Sequence, residues 1–227
     1  MNILLVRPKP HKETIGLQNV MICEPLELEY LGAYAEALGH KVTIIDMILE
    51  KKPLSYFIEV YKPQVVGLTS YIAHINIIKE YAEEIKKVDP SCKVVVGGVH
   101  SEVVPEDFYS VNIDYIVRGN GLKTFGEILK ALEGNKATDD IEGIWDENKG
   151  RCIKETTINY PKPNRTLVSR YREKYYYMFH NPCALIKTSY GCPYQCSFCF
   201  CRQITDGKYF VRDLQDIIHE IKDIEER

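Results

Sequence analysis

The sequence predicts an α/β fold: a doubly wound parallel sheet of five strands, followed by one further strand–loop–helix unit. Three observations predict it. Short apolar runs rich in Val, Ile and Leu recur through the first half of the chain, and a helical pattern follows them. Strands apolar on both faces that alternate with helices imply a parallel sheet covered on both sides, and right-handed crossovers then favour helices on both faces of one open sheet. Lastly, four of the eight cysteines fall within ten residues, between a last strand-like run and a last amphipathic stripe.

Taken in order, residues 2–6 form a buried strand. Pro25 introduces a helix over 26–38, and Gly39-His40 ends it, glycine being suited to a left-handed cap. The β-branched run at 41–46 is a strand. A modest helix covers 53–61, and a Val- and Leu-rich strand covers 64–70. Ile75, Ile78, Ala82, Ile85 and Val88 carry the three-and-four spacing of an amphipathic helix. Residues 93–96 are an apolar strand running into Gly97-Gly98, 114–117 a fifth strand, and 124–132 a closing helix with Gly134 beyond it. These elements define a first domain over 1–134. Residues 135–180 form a connector. In it, 141–145 and 151–154 flank Asn148-Lys149-Gly150 as a hairpin, and the rings of Tyr171, Tyr175, Tyr176, Tyr177 and Phe179 are expected to pack between domains. The last part, 181–227, reads as a strand over 184–189, a cysteine loop over 190–207, and a helix capped by Asp213 with Leu214, Ile217, Ile218, Ile221 and Ile224 as its stripe.

Ligands of doubly wound sheets sit beyond the carboxyl ends of the strands. Those ends carry Arg7-Pro8, Asp46, Ser70-Tyr71, Gly97-Gly98-Val99-His100 and Arg118-Gly119-Asn120-Gly121. Glycines in several clusters along one edge let a large ligand approach the backbone. The connection from Arg7 to Glu24 is long for such a fold, and long loops in compact domains are often functional.

Composition excludes several classes. A net charge of −3 argues against a broadly basic surface for nucleic acid or acidic membranes. No apolar run is long enough to span a bilayer, and residues 1–6 have neither a basic leader nor a small-residue cleavage site. A cytoplasmic address is therefore expected, with neither nucleic acid nor membrane as partner. In that compartment a tight cysteine group points to metal and not to disulfides. Thiolates are soft ligands for zinc or iron–sulfur clusters. Structural zinc loops pair with a second C-x-x-C elsewhere, which this chain lacks. Cys192, Cys196 and Cys199 on one loop would hold three corners of a cubane and leave one iron open. Cys201 is the alternative that closes it, although only one residue separates it from Cys199.

The phrase Thr188-Ser189-Tyr190-Gly191-Cys192-Pro193-Tyr194-Gln195-Cys196-Ser197-Phe198-Cys199 resembles the signature of the radical S-adenosylmethionine superfamily. The resemblance implies a 4Fe–4S cluster on Cys192, Cys196 and Cys199. It also implies S-adenosylmethionine on the open iron with Phe198 near its adenine, and reductive cleavage to a 5′-deoxyadenosyl radical. The segments 25–31, 65–70, 94–100 and 114–121 resemble the flavodoxin-like cobalamin-binding module found upstream in one branch of that superfamily. This implies that a corrin ring rests on the strand ends with its nucleotide tail running into the sheet, in contact with Thr69, Ser70, Gly97, Gly98, Gly119 and Gly121. Glu27 and Glu29 stand where many relatives carry small residues, and Asn120 where they carry glutamate. The D-x-H-x-x-G motif that supplies an axial histidine in other cobalamin enzymes is not formed around His11, because Lys9 and Thr14 occupy its other positions. His100 is expected to be structural.

The resemblance further implies methyl transfer or a radical rearrangement or cyclisation on a small-molecule substrate, with a reducing partner of the flavodoxin or ferredoxin type. The superfamily's catalytic domain is a partial barrel of about six strand–helix units, by analogy with the eight of the full barrel. Only its first unit is present here, so the chain is expected not to turn over alone. The rival reading is a corrinoid-binding or iron–sulfur electron-carrier module that is not an enzyme.

Overall fold

The computed structural model describes residues 1–11, 14, 17–147 and 161–226. In chain order the first part comprises β1 (Asn2–Arg7), β2 (Met21–Ile22), α1 (Leu26–Ala37), β3 (Lys41–Asp46), α2 (Leu54–Tyr61), β4 (Val65–Thr69), α3 (Ile75–Val88), β5 (Lys93–Gly97), α4 (Val99–Val103), β6 (Tyr115–Ile116) and α5 (Gly121–Glu133). A 3-10 helix over Arg165–Lys174 leads to β7 (Tyr176–Tyr177), β8 (Ser189–Gly191), α6 (Cys201–Thr205), β9 (Tyr209–Val211) and α7 (Leu214–Glu225).

The main sheet has the order β3-β1-β4-β5-β6 with every neighbouring pair parallel. This is the doubly wound, flavodoxin-like arrangement, and its strand order reverses at β1 and β4. Alternation across the pleat sorts the strand residues between two cores. Leu4, Val6, Val66 and Val94 meet Phe57, Ile58, Ile78 and Ile85 beneath α2 and α3. Ile3, Leu5, Val65 and Val95 meet Leu28, Ala35, Phe125 and Ile128 beneath α1 and α5. Each such Leu, Ile or Phe, fully buried, contributes about 1.5–3 kcal/mol. Cys92 belongs to the first core, and burial pushes its thiol up to about 12.

Several expectations change. The closing helix begins at Gly121, three residues early, because Asn120 caps it: its Oδ1 accepts the Lys123 N–H at 3.0 Å. The first arm of the expected hairpin runs antiparallel along the sheet edge, with Trp145 N–H donating to Ile116 O at 2.7 Å and Val117 bridged to Ile144. The other arm, 151–154, and its turn lie outside the described residues. Of the connector rings, Tyr171 and Tyr175 are fully buried against the second core, but Tyr177 is exposed and Phe179 is 96% exposed.

The expected strand over 184–189 does not form. Residues Ser189–Gly191 pair instead with Tyr209–Val211. The extended backbone ahead of them is satisfied by charged side chains in place of a neighbouring strand. Leu185 N–H donates to Glu24 Oε1 at 2.6 Å, Arg165 donates to Leu185 O at 2.7 Å, and Arg212 donates to Lys187 O at 2.8 Å. The last helix forms as expected, with Asp213 Oδ1 accepting from Gln215 and Asp216 N–H. Its buried residue is Glu220, whereas Leu214 of the stripe is 64% exposed. Among the described residues no helix is long and apolar enough to cross a membrane.

Candidate functional site

A cavity of about 300 Å³ opens at the carboxyl ends of β4, β5 and β6. Leu28 and Leu31 of α1, Gly67, Val95 and Phe125 make its apolar interior, while Glu27, Thr69, Asn120, Lys187 and Tyr190 bring polar groups to it. Two glycines shape it by necessity. Gly98 has φ +107°, and a Cβ there would stand 2.6 Å from Ser70 N. Gly67 lies in a fully buried strand, where a Cβ would come within 2.8 Å of Leu5 Cδ2. Gly121, by contrast, has no atom within 4 Å of its ideal Cβ, because it faces the open space.

Of the six strand-end residues singled out above, Thr69, Gly97, Gly98, Gly119 and Gly121 line this cavity. Ser70 does not. It is fully buried, and its hydroxyl accepts the Ser101 N–H at 3.2 Å while its carbonyl accepts the His100 N–H at 3.2 Å. It braces the turn that carries Gly98. His100 is held by Asp107 through Nε2 at 2.7 Å and lies edge-to-face on Phe108, as a structural histidine should. His11 is exposed. His74 was not foreseen: it is buried beyond β4, burial and then Arg7 depress its pKa to about 4, and it is neutral at physiological pH.

Glu27 is the exposed acid at the cavity, and Glu102 the buried one. The Glu27 side chain is exposed because it borders the opening, yet protein surrounds it. That enclosure pushes its carboxyl above the usual range, and its own backbone, Arg7, Lys187 and the Thr69 hydroxyl offset part of the rise. Its charge, followed by burial, raises the Tyr71 phenol to about 12. Lys187, Tyr190 and Ile204 reach the same cavity from the cysteine-loop part. No local signal in the sequence links them to α1, since they are more than 150 residues away.

A buried ionic network holds that part in place. Arg165 pairs with Glu24, lies 2.5 Å from Glu220 Oε1 and 3.6 Å from Glu29 Oε2. Arg212 donates to Glu220 Oε2 at 2.7 Å and to Tyr30 Oη at 3.3 Å. Glu29 is 0% exposed and neither of its oxygens makes a hydrogen bond. Burial, and next the neighbouring Glu24 carboxylate, push its pKa up to about 8 against the attraction of Arg165.

The cysteine loop runs from β8 into α6. Gly191, at φ +86°, must be glycine because a Cβ would overlap Lys208 O, just ahead of β9. Cys192 and Cys199 are partly buried, Cys196 is exposed and Phe198 is 90% exposed. Cys199 N–H donates to Cys196 O at 3.1 Å, turning the loop. Cys201 opens α6. A hydrogen bond to Cys199, then burial, then the charges of Cys199 and Cys192 raise its pKa. Among the described residues no three His, Cys, Asp or Glu are gathered tightly enough to hold a metal ion. The donor set nonetheless fits a cluster that enters from solvent: three soft thiols on one accessible loop. The cavity fits a corrinoid tail equally well, since the glycines clear its walls and its interior is apolar.

A parallel α/β sheet with a glycine-walled cavity over its strand ends defines a ligand-binding domain of the doubly wound class. The chain belongs to the B12 binding domain family, which matches residues 14–129. Beyond that segment it is similar to the hopanoid C-3 methylase of Methylococcus capsulatus, 27% identical over 100% of this chain and 44% of that protein. It is also similar to the anaerobic magnesium-protoporphyrin IX monomethyl ester cyclase of Rubrivivax gelatinosus, 26% identical over 98% of this chain and 42% of that one. Among solved structures, the radical S-adenosylmethionine methyltransferase TsrM from Kitasatospora setae shares the fold, with a TM-score of 0.67 and 20% identity over 98% of this chain and 45% of that chain. The resemblance read from the sequence agrees with these relatives. The chain spans less than half the length of each of them.

Proposed function

We propose that the chain is the amino-terminal part of a cobalamin-dependent radical S-adenosylmethionine enzyme that performs methyl transfer, or a radical rearrangement or cyclisation, on a small-molecule substrate. The observation that carries this reading is the shared cavity: the B12-family domain supplies its interior, and the segment leading into the cysteine loop supplies Lys187 and Tyr190 at its wall. A corrinoid held there would lie beside the loop of Cys192, Cys196 and Cys199.

In this reading the apolar interior takes the nucleotide tail and Gly97, Gly98, Gly119 and Gly121 admit it against the backbone. Cys192, Cys196 and Cys199 would hold a 4Fe–4S cluster, and Phe198 would cover the adenine of S-adenosylmethionine. When bound, the cofactors supply one-electron reduction of the sulfonium and a carrier for the methyl group, while the protein orients them and excludes water. A reducing partner of the flavodoxin or ferredoxin type delivers the electron. Turnover would need further strand–helix units of a catalytic barrel, of which this chain is read to carry the first.

The test is anaerobic reconstitution with iron and sulfide, followed by hydroxocobalamin. We expect a saturable change in the visible spectrum at one corrinoid per chain, and an electron paramagnetic resonance signal that shifts when S-adenosylmethionine is added. The rival, an electron carrier with Cys201 as fourth ligand, draws on the contact between Cys201 and Cys199. It predicts a cluster signal indifferent to S-adenosylmethionine.

A further inference from the structure

We infer that Glu27 is a specificity-determining residue of the corrinoid site: it reads a carboxamide at the edge of the macrocycle and rejects a carboxylate in its place. The inference rests on the assignment of the cavity to a corrinoid and goes beyond it, because it names the chemical group that one side chain recognises.

The cavity of about 300 Å³ accommodates the tail of a corrinoid and is too small for the macrocycle, which must lie across the opening. The periphery of a corrin carries acetamide and propionamide arms, so side chains at the opening meet primary carboxamides. Among the described residues three charged ones line the cavity: Glu27, Glu102 and Lys187. Glu102 is buried, and its carboxylate is committed to the Gly119 N–H. Lys187 comes from the other wall, with its Nζ 4.4 Å from the centre of the Tyr190 ring. Glu27 stands in the first turn of α1, where it is exposed and lines the cavity together with Thr69. A carboxylate has two oxygens and so acceptor capacity for more than one N–H.

A carboxylate at this position can accept an N–H of a carboxamide. Set against a carboxylate it meets like charge in a partly enclosed space, where repulsion is strong. A site built to pair a particular polar group discriminates steeply against the analogue that cannot pair. The position of Glu27 on one wall, with a cation on the other, means that the discrimination falls on particular arms of the ring and not on all of them.

The test uses the whole chain and reads binding, not turnover. Hydroxocobalamin and its separated monocarboxylic acid isomers, in which one carboxamide is replaced by a carboxylate, are titrated against wild type and Glu27→Gln while the visible spectrum is followed. Wild type is expected to bind cobalamin and to bind at least one isomer about tenfold or more weakly. Glu27→Gln, which keeps the shape and loses the charge, is expected to narrow the gap between cobalamin and that isomer to within about threefold, whatever its own affinity for cobalamin. Glu27 is exposed, so this variant should retain the helical circular dichroism of wild type. Equal binding of all isomers by wild type, or undiminished discrimination by Glu27→Gln, overturns the inference while leaving the corrinoid site standing. Failure of wild type to bind any corrinoid overturns both.

Discussion

The sheet domain and the cysteine-loop part are built on opposite principles. In the sheet domain β4 is buried at every position, and two apolar cores fill the space on either side of the strands. Among the described residues the cysteine-loop part has no comparable core. Tyr194, Phe198, Tyr209, Val211 and Leu214 are each more than half exposed, and the buried side chains described in it are those of Thr205 and Glu220. What fastens it to the sheet domain is charge, through Arg165 and Arg212 against Glu24, Glu29 and Glu220. A part anchored by ion pairs can be loosened by one substitution, whereas a part anchored by many apolar contacts yields by degrees.

The largest effect should fall on the loop itself. Changing Cys192, Cys196 or Cys199 to Ala is expected to abolish cluster assembly, read as iron and sulfide content after anaerobic reconstitution, with the sheet domain unaltered by circular dichroism. Cys201→Ala should leave the cluster intact. A loss of iron equal to that of the other three would make Cys201 a ligand and close the open corner.

Arg165→Ala comes next. It leaves Glu24 buried without its cationic partner and Glu220 with Arg212 alone, and removing one side of a buried pair costs about 3–5 kcal/mol. The contrast between the two parts makes the outcome regional: hydrogen exchange should accelerate across residues 185–191 and α7 while β1 and β4 stay protected. Uniform acceleration would mean that the two parts are one cooperative unit.

A smaller effect concerns pH. Glu29 has its carboxyl raised from an ordinary 4.5 to about 8, so folding takes up a proton between those values. Its contribution to stability is fully present below about 4.5 and is lost as pH rises through about 8. Other groups, such as Asp114, whose carboxyl burial would raise but Lys86 and Lys93 hold below the usual range, slope the opposite way. The comparison must therefore be between wild type and Glu29→Gln. The variant should be more stable at pH 8.5 by about 1–3 kcal/mol, with the difference shrinking toward pH 5, as followed by denaturant unfolding.

The same contrast explains what the sequence made legible. The strand over 41–46 was readable to the residue because its β-branched run must be buried wherever it lies. The start of α5 was missed because Gly121 carries no helical signal, although Asn120, its cap, does. The run at 184–188 looks like a strand by composition. Strands need partners, however, and here Glu24, Arg165 and Arg212, distant in sequence, serve the backbone instead. At the cavity the strand-end glycines were visible because glycine clusters at strand ends mark close approach. Ser70 does not line the cavity because it is buried toward the Gly98 turn, where its hydroxyl accepts the Ser101 N–H. Glu27, Lys187 and Tyr190 could not be grouped from sequence, since only the folded chain brings α1 beside the segment before Cys192.

The most direct test fills the cavity without disturbing the fold. Gly121 opens α5, lines the cavity, and has no atom within 4 Å of its ideal Cβ, so Gly121→Leu adds bulk at the cavity with no clash at Cβ. Hydroxocobalamin titration, followed by its visible spectrum, should show one saturable site in wild type and at least about a hundredfold weaker binding in the variant, with unchanged circular dichroism. Equal affinity in the two proteins would contradict the account, because the corrinoid would then be held somewhere else.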